Sequence, residues 1–449
     1  MNSANVKTRP EEIRKHADAL AGDDRDYGRL LALAGDRHFV LLGEASHGTH
    51  EFYAMRAAIT RLLLEQLEFD AIVVEGDWPN VYRINRFVRG MSNDSSARDS
   101  LGDFLRFPRW MWRNREVERF VGWLREFNSG RDAKRQAGMY GLDLYSLHDS
   151  AAAVIAYLDE ADPVAAVRAR ERYACLDHGS ELQADGQRYG YSVSMGISQS
   201  CEDEAVAQLA DILRSRSRFL ASDGLVAEDE HFFAEMNARV VRNAEAYYRH
   251  MFGSRISTWN LRDRHMAETL FALQEHLSRQ RGRPAKIAVW AHNSHLGDAR
   301  ATQVSRYGEL NLGQLVRERA GEEDCLLVGF TTYTGYVTAA RDWDAPAEHR
   351  QVRPALDGSV EDLFERTGIN RFFLPLHGSA DAVPERAIER AIGVIYRPET
   401  ERQSHYFHVS LARQFDAVFH LDETSALEPL DIGGTWTRGD LPETWPTGM

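Results

Sequence analysis

Two scarcities in this chain of 449 residues exclude whole classes of protein. Its three cysteines, Cys175, Cys201 and Cys325, are far apart and odd in number. They predict neither a disulfide framework nor a Cys-x-x-Cys metal site, and they fit a reducing cytosol. Positive charge is also scarce, because 54 basic residues face 68 acidic ones and give a formal net charge of -14. Phosphate binding needs an electropositive surface, so no nucleic-acid partner is expected.

Long hydrophobic runs are missing as well. No apolar stretch of the sequence approaches the roughly 20 residues that cross a bilayer. The first residues, MNSANVKTRPEEIRKHADAL, lack the apolar core of a signal peptide. A cytoplasmic protein with no membrane partner is therefore expected. The sequence contains no P-loop, no GxGxxG fingerprint and no Cys/His zinc pattern, so no cofactor is predicted. Nothing in the sequence indicates the oligomeric state.

Short apolar runs that end abruptly in polar residues predict the strands. They are His38–Gly43, Ala71–Val74, Met139–Leu142, Ile287–Ala291, Cys325–Phe330, Gly393–Tyr396 and Ala417–His420. Amphipathic helical patterns separate most of them, and the helix after the first strand has Thr49 as a plausible N-cap. This alternation predicts the α/β class, with a mainly parallel central sheet flanked by helices.

The middle of the chain differs from the rest, because its patterns are almost entirely helical. We therefore predict that residues 1–149 form the first part of an α/β catalytic core and residues 281–449 the second part. Residues 150–280 are predicted to be a large, mainly helical insertion that forms a wall of the cleft. Within it, the Gly- and Ser-rich stretch His178–Ser200 predicts a loop. Residues Thr435–Met449 show little periodicity and predict irregular structure.

Acids and histidines collect where the predicted strands end. In open α/β sheets, ligands bind outside the carboxyl ends of the strands, so these side chains are predicted to converge in one site. The residues that follow the first four strands are Glu44 and His47, then Glu75, then Asp143, then His292 and His295.

These residue types suit a hydrolysis carried out by water. His47 can act as general base, and Glu44 or Glu75 can fix its tautomer and stabilise its protonated ring. His292 can protonate a leaving alkoxide or polarise a carbonyl, and Arg56 can stabilise an oxyanion. Together they predict ester hydrolysis without a covalent intermediate.

The same residues are also compatible with other functions. Two histidines with two or three carboxylates also suit a divalent metal, although neither motif matches HExxH. Ser46 invites a nucleophile interpretation, but its surroundings are not G-x-S-x-G. A single histidine at a strand end is more often structural than catalytic. A third class of protein, a small-molecule binder without turnover, would also need such a site.

Several further residues are predicted to contact a small-molecule substrate. Asp77 and Trp78 have an alternative role as turn residues, and Trp110 has one in interface packing. For Arg262 the default interpretation is a structural ion pair with its neighbour Asp263 on a helix surface. The predicted substrate-binding residues are Asp77, Trp78, Trp110, Tyr248, Arg262 and Tyr396.

Nearly the whole chain resembles the erythromycin esterase-like family. The stretch from LLGEASHGTHEF to RINRFVRG is similar to its first signature, and AVWAHNSHLGDA is similar to its second. RNAEAYYRHMF, WNLRDRHMAETL and IGVIYRPETERQSHYF resemble further blocks in family order. GEASHG followed by AHNSH is a specific combination.

The resemblance implies a hydrolase fold unrelated to the Ser-triad α/β-hydrolases, and an enzyme that opens a macrolide lactone or cleaves another carboxylic ester. It implies His47 as general base, and its assisting residues map onto Glu44, Arg56, Glu75, His292 and His295. The family is usually described as working without an essential metal. The style of AHNSHLGDA resembles the broader branch that includes proteins named succinoglycan biosynthesis protein, so the substrate is not implied.

Overall fold

The computed structural model describes residues 9–176, 186–219, 225–252 and 257–431. The chain divides into two compact units. The first unit comprises Met1–Ile72, Phe87–Gly138 and Lys286–Met449, and the second comprises Val73–Arg86 and Met139–Ala285. The domain boundaries proposed from the sequence rest on composition alone and stay a prediction.

Eleven strands lie in the described ranges, and nearly all the predicted ones are among them. Those of the first unit's main sheet are β1 (Asp18–Ala19), β2 (Phe39–Leu42), β5 (Ile287–Trp290), β6 (Cys325–Ala339), β7 (Glu348–Val352), β8 (Arg371–Pro375) and β11 (Ala417–Thr424). The others are β3 (Ala71–Asp77) and the neighbouring β4 (Gly138–Asp143), and the two-stranded sheet of β9 (Ala387–Arg390) and β10 (Tyr406–Val409).

The main sheet of the first unit is mixed. Its order is β1-β8-β11-β6-β2-β5, with β7 paired to β6. The pairs β11–β6, β6–β2 and β2–β5 are parallel, whereas β1–β8, β8–β11 and β6–β7 are antiparallel. The α/β class with a central sheet flanked by helices is thus confirmed. Its parallel strands are buried along their full lengths in β2 and β5, as expected for a sheet covered on both faces.

One predicted strand is wrong. Residues 393–396 form no strand, and this segment makes only isolated bridges, such as Ala340 with Ile395. The apolar run exists because the segment is packed against the core, where Tyr396 joins Val337, Ala339 and Val352 in one cluster. Burial of a loop produced the same sequence pattern as burial of a strand.

The helices flank the strands and dominate the second unit. They are α1 (Arg9–His16), α2 (Gly28–Ala34), α3 (His50–Gln66), α4 (Trp78–Val88), α5 (Ala97–Ser100), α6 (Arg115–Asn128), α7 (Leu147–Ala161), α8 (Pro163–Tyr173), α9 (Gly186–Ser194), α10 (Glu202–Phe219), α11 (Leu225–Met251), α12 (Thr258–Arg281), α13 (Asn293–Leu296), α14 (Leu312–Ala320), α15 (Val360–Glu365), α16 (Glu401–Ser404) and α17 (Leu411–Gln414). Among them, none combines the length and apolarity that a membrane crossing requires.

Two expectations about the second unit need correction. The predicted loop over 178–200 contains α9, in which Tyr189 and Gly190 are buried, and its residues 178–185 lie outside the described part. Gly190 packs against the backbone of Tyr248, so the glycines there serve close helix packing. The cysteine expectation is also wrong, because Cys175 and Cys201 form a disulfide across this stretch. Residues 435–449, predicted to be irregular, lie outside the described residues.

Candidate active site

The loop after β2 is fixed from several directions within the first unit. Its backbone carbonyls accept hydrogen bonds: Glu44 from Asn293 N at 2.8 Å, Ala45 from Ile392 N at 2.7 Å, and Gly48 from Leu427 N at 2.8 Å. A Cβ at Gly48 would overlap the backbone of Thr338, which explains glycine at this close approach. The Glu44 and His47 side chains therefore project from a rigid frame.

A buried carboxylate joins the predicted base to an arginine. Glu44 Oε1 lies 2.9 Å from His47 Nδ1, and Glu44 Oε2 accepts a hydrogen bond from Arg56 Nη2 at 2.7 Å. The Glu44 and Arg56 side chains are 0% exposed, whereas the His47 side chain is 9% exposed. The carboxylate is thus sealed from water, and the imidazole is the member of the group that solvent reaches.

Arg56 lies between two aromatic rings in addition to its ion pair. Its Cζ lies 4.4 Å from the centroid of the Tyr53 ring and 5.2 Å from that of the Trp290 ring. Ring faces and a paired carboxylate offset the desolvation of the guanidinium. Arg56 occupies the second turn of α3, so helix geometry directs it back toward the end of β2. Its Nε and Nη1 have no hydrogen-bond partner among the described residues.

His292 follows β5 and caps the one-turn helix α13. Its Nδ1 accepts the backbone N–H of Ser294 at 3.2 Å, and the Ser294 hydroxyl lies 2.8 Å from the same atom. A ring nitrogen that accepts an N–H carries no hydrogen itself. The neutral His292 ring therefore bears its hydrogen on Nε2.

The two histidine rings face each other with opposite tautomers. Their centroids are 4.9 Å apart and their planes are inclined by 48°. His47 donates its Nδ1–H to Glu44, which leaves Nε2 as a base, whereas His292 carries Nε2–H as a hydrogen-bond donor. The arrangement therefore places one proton acceptor and one hydrogen-bond donor side by side.

His295 is the last of the predicted catalytic residues in the first unit. His295 lies on α13 and is 2% exposed, and its backbone N–H donates to the carbonyl of His292 at 2.9 Å. Among the residues that the structure describes, no group of three or more His, Cys, Asp or Glu side chains is arranged to hold a metal ion.

Glu75 has a different environment, inside the second unit. Arg262 Nη2 donates to Glu75 Oε1 at 2.7 Å, and Arg262 Nε and Nη2 donate to the two oxygens of Asp143 at 2.9 and 2.6 Å. Burial opposes the charge of Arg262, but Asp143, Tyr145 and Glu75 raise its pKa well above the ordinary value. The default interpretation of Arg262 as the ion-pair partner of Asp263 is wrong, because Arg262 bridges the ends of β3 and β4. The predicted convergence of Glu75 with His47 stays a proposal.

Trp110 lines a groove of about 310 Å³ in the first unit. Leu105, Phe107, Ala345 and Pro346 supply apolar wall, and Arg109, Arg113 and Asp431 supply charge. Trp110 Nε1 is buried with no hydrogen-bond partner among the described residues. Trp110, one of the side chains predicted to bind substrate, therefore lies on a groove wall.

Four predicted contacts are less favourably placed. Trp78 is 1% exposed and stacks on Tyr82 and Tyr140 in the second unit. Tyr248 is buried there and donates its hydroxyl to the carbonyl of Tyr145 at 3.0 Å.

In the first unit, Tyr396 is 0% exposed, and its hydroxyl donates to Glu401 at 3.0 Å and accepts from the backbone N–H of Arg353. The burial of Trp78, Tyr248 and Tyr396 argues against direct contact with substrate, because these side chains already pack inside the protein. Asp77 is half-buried at the last position of β3.

Sequence reasoning missed the side chains that support this group. Asn293 stands out in the sequence only as part of the AHNSH motif, yet it bonds strand β6 and a buried glutamate, Glu389. Tyr145, over whose ring Arg262 lies at 5.0 Å, was also missed. The position of Asn293 beside His292 was the available signal, whereas nothing near Glu389 in sequence pointed to it.

The fold and this group of residues define an α/β protein with a buried His–Glu–Arg site beside a second histidine. A model of the erythromycin esterase family matches residues 64–424, which is most of the chain. The chain therefore belongs to the erythromycin esterase family. At the level of the family, this supports a hydrolase of the ester or lactone type.

Curated relatives match along almost their whole length. "Erythromycin esterase type II" of Escherichia coli is 23% identical over 428 residues, covering 90% of this chain and 93% of the relative. "Putative hydrolase YbfO" of Bacillus subtilis (strain 168) is 21% identical over 457 residues, covering 94% and 93%.

Solved structures share the fold. A protein from Bacillus cereus superposes with a TM-score of 0.75 at 18% identity, covering 95% of this chain and 99% of its own. A succinoglycan biosynthesis protein also gives 0.75 at 20% identity, covering 95% and 100%. A mutant erythromycin esterase in its open conformation gives 0.61 at 20% identity, covering 91% and 96%. The resemblance predicted from GEASHG and AHNSH is thereby confirmed.

Proposed function

We propose that the protein hydrolyses a carboxylic ester, including a macrocyclic lactone, with a water molecule activated by His47 and without a covalent intermediate. One observation carries this proposal: the Glu44 carboxylate divides its two oxygens between His47 Nδ1 and Arg56 Nη2. That division fixes the tautomer of His47 and leaves its Nε2 free to act as a base.

The first step is the attack of water. His47 Nε2 takes one proton from the water while the oxygen of that water bonds to the carbonyl carbon. The electron pair of the carbonyl moves to its oxygen and gives a tetrahedral oxyanion. Glu44 stabilises the imidazolium that forms, as a buried carboxylate does in related arrangements. A hydrogen-bond donor such as Nε2–H of His292 stabilises the oxyanion.

The second step is the collapse of the intermediate. The bond from carbon to the alcohol oxygen breaks as the carbonyl re-forms, and the departing alkoxide takes the proton that His47 accepted in the first step, which returns both histidines to their neutral forms. The products are a carboxylic acid and an alcohol, which remain in one molecule when the substrate is a lactone. Glu75 is proposed to assist the base, and His295 to support His292, as the family resemblance implies.

The groove beside Trp110 is proposed to receive the apolar body of the substrate. Its wall includes Pro429 and Asp431, and the same segment reaches Leu427, whose N–H bonds the carbonyl of Gly48 next to His47. Ligand sites combine apolar walls with a few polar groups, and this groove has that composition.

The test is mass spectrometry of a panel of macrolides, smaller lactones and linear esters after incubation with the protein. We expect at least one lactone to gain one water and one ester to split, and we expect His47→Ala to abolish both. Ser46→Ala is expected to keep the activity, because the mechanism has no serine nucleophile.

Two outcomes would overturn the proposal. Activity that disappears with a chelator and returns with one added divalent metal indicates a metal-dependent hydrolase at the same residues. No turnover across the panel, combined with ligands that raise the melting temperature, indicates a binding protein without catalysis.

A further inference from the structure

Two glutamates that the mechanism does not use lie fully buried in the first unit. Glu389 is in β9 and Glu361 is in α15, and both are 0% exposed. Burial raises the pKa of Glu361. Burial and then the negative charge of Glu361 raise the pKa of Glu389 to about 8. Two carboxyls in such surroundings do not both ionise at neutral pH.

The surroundings decide which of the two keeps the proton. Glu361 Oε1 accepts the backbone N–H of Arg390 at 2.8 Å, and the charge of Arg390 favours its anion. The guanidinium of Arg390 is directed away from Glu389, because it donates to Glu401 and to three backbone carbonyls. The groups facing Glu389 are Glu361, an asparagine and a glutamine; the two amides favour its anion, but burial and the charge of Glu361 outweigh them and favour the neutral acid.

The asparagine is Asn293, next to His292. Asn293 Nδ2 donates to Glu389 Oε1 at 3.2 Å and to the carbonyl of Phe330 at 2.8 Å. Its backbone N–H donates to the carbonyl of Glu44 at 2.8 Å. Asn293 thus ties the start of α13 to β6, to the Glu44 loop and to Glu389.

The glutamine is Gln414, which packs on the other end of the same segment. Its carbonyl accepts the backbone N–H of Asp298 at 2.9 Å, and a Cβ at Gly297 would come 2.7 Å from its Cγ. Glu389 Oε2 and Gln414 Oε1 are both buried without a hydrogen-bond partner in the described part of the chain. A hydrogen on Glu389 Oε2 gives this carboxyl a donor within reach of the Gln414 side chain, with which Glu389 shares a hydrogen bond.

We propose that Glu389 is a positioning residue, a neutral carboxylic acid that holds both ends of the His292–Asp298 segment and thereby keeps His292 beside His47. Its catalytic consequence rests on the proposed function, whereas its effect on folding does not. Deprotonation places an anion beside Glu361 and removes the donor toward Gln414. The segment that carries His292 then loosens at alkaline pH.

The folding test needs no substrate. A carboxyl whose pKa is raised in the fold keeps its proton from about pH 4.5 to about pH 8, whereas the unfolded chain loses it. The free energy of unfolding therefore falls as pH rises through this window. Glu389→Gln keeps the acceptor and the donor without titrating. We expect its melting temperature, relative to wild type, to rise between about pH 5 and about pH 8.

The catalytic test is the pH profile of kcat on a substrate found in the panel. We expect wild type to lose kcat above about pH 8 as the carboxyl ionises. Glu389→Gln should keep its kcat there, and Glu389→Ala should lower kcat at every pH. Glu361→Gln is the matched control, because removing the neighbouring anion should move the position of the wild-type alkaline loss rather than abolish it.

The outcomes separate the two proposals. Parallel melting curves and superimposable pH profiles for Glu389→Gln and wild type would overturn the positioning role. If no substrate is turned over, the proposed function fails, and the melting temperatures alone still decide whether Glu389 carries the proton.

Discussion

Two arginines of this molecule, Arg56 and Arg262, pair with carboxylates in opposite ways. In the first unit, one carboxylate, Glu44, serves both Arg56 and His47. In the second unit, one guanidinium, Arg262, serves both Glu75 and Asp143. The first arrangement has an imidazole at its accessible end, whereas in the second a guanidinium bridges two carboxylates.

This difference indicates which of the two regions can transfer protons. A carboxylate that supports a histidine prepares a base whose pKa lies near neutral pH in solution. An arginine stays protonated throughout the physiological range, so the Arg262 group holds charges in place and exchanges no proton through its cation. The Glu44 region is therefore the catalytic centre in our proposal, and the Arg262 region is a scaffold for Glu75.

The sharpest test of this contrast removes the base. We expect His47→Ala to lower kcat/KM by about 10²- to 10⁴-fold, the range typical of general acid–base catalysis. Its melting temperature should fall only modestly, because the Glu44 carboxylate stays paired with Arg56 when the His47 ring is removed. Steady-state kinetics and thermal melts measure both. His408→Ala is the matched control at an exposed histidine, and equal losses in the two variants would contradict the assignment.

A second test compares the two cations directly. Removing one partner of a buried ion pair costs about 3–5 kcal/mol of folding free energy. We expect Arg262→Met to cost more than Arg56→Met, because it breaks ion pairs with two buried carboxylates rather than with one. Urea denaturation followed by circular dichroism measures the difference. Arg119→Met removes an exposed pair with Glu116 and should cost less than about 1 kcal/mol. A larger loss for Arg56→Met would reverse the comparison.

Much of the Glu44 region was predictable because its signals are local. The strand β2 and the motif GEASH lie together in sequence, and a sheet brings the next strand ends to the same edge. Arg56 was predictable from helix periodicity, which returns a second-turn residue toward the preceding strand. The tautomers of His47 and His292 were not, because they depend on single hydrogen bonds at 2.9 and 3.2 Å.

The Arg262 region shows where sequence reasoning ends. Neighbouring Asp263 suggested a local ion pair, yet the partners of Arg262 lie 119 and 187 positions away in the sequence.

Two other features of the fold were missed. The antiparallel strand β8 was missed because RFFLP is too short a pattern beside the stronger apolar runs. The Cys175–Cys201 disulfide was missed because spacing alone does not show which cysteines meet.

A third test uses one buried histidine from each unit. Burial lowers the pKa of His405 in the first unit and of His265 in the second to about 4. His405 Nε2 accepts the backbone N–H of Arg397 at 3.2 Å, and His265 Nδ1 accepts from Asn243 Nδ2 at 2.8 Å. Both rings are therefore neutral in the fold.

The pH dependence follows from that neutrality. As pH falls from 6.5 toward about 4, the unfolded chain binds protons that the folded chain does not. The free energy of unfolding then falls by about 1.4 kcal/mol per pH unit for each histidine. His405→Gln and His265→Asn keep a hydrogen-bond acceptor but do not titrate. Each should therefore reduce the slope of the free energy of unfolding against pH by the contribution of one histidine. Urea titrations at several pH values measure it, and unchanged slopes would refute neutral burial.

The smallest expected effect tests which region recognises the substrate. Trp110 lines the groove of the first unit, whereas Tyr248 donates a structural hydrogen bond in the second. We expect Trp110→Ala to raise KM about tenfold, equivalent to about 1.4 kcal/mol of lost contact, with little change in kcat. Tyr248→Phe should cost about 1 kcal/mol of stability and leave KM unchanged. A raised KM for Tyr248→Phe with an unchanged KM for Trp110→Ala would instead assign substrate recognition to the second unit.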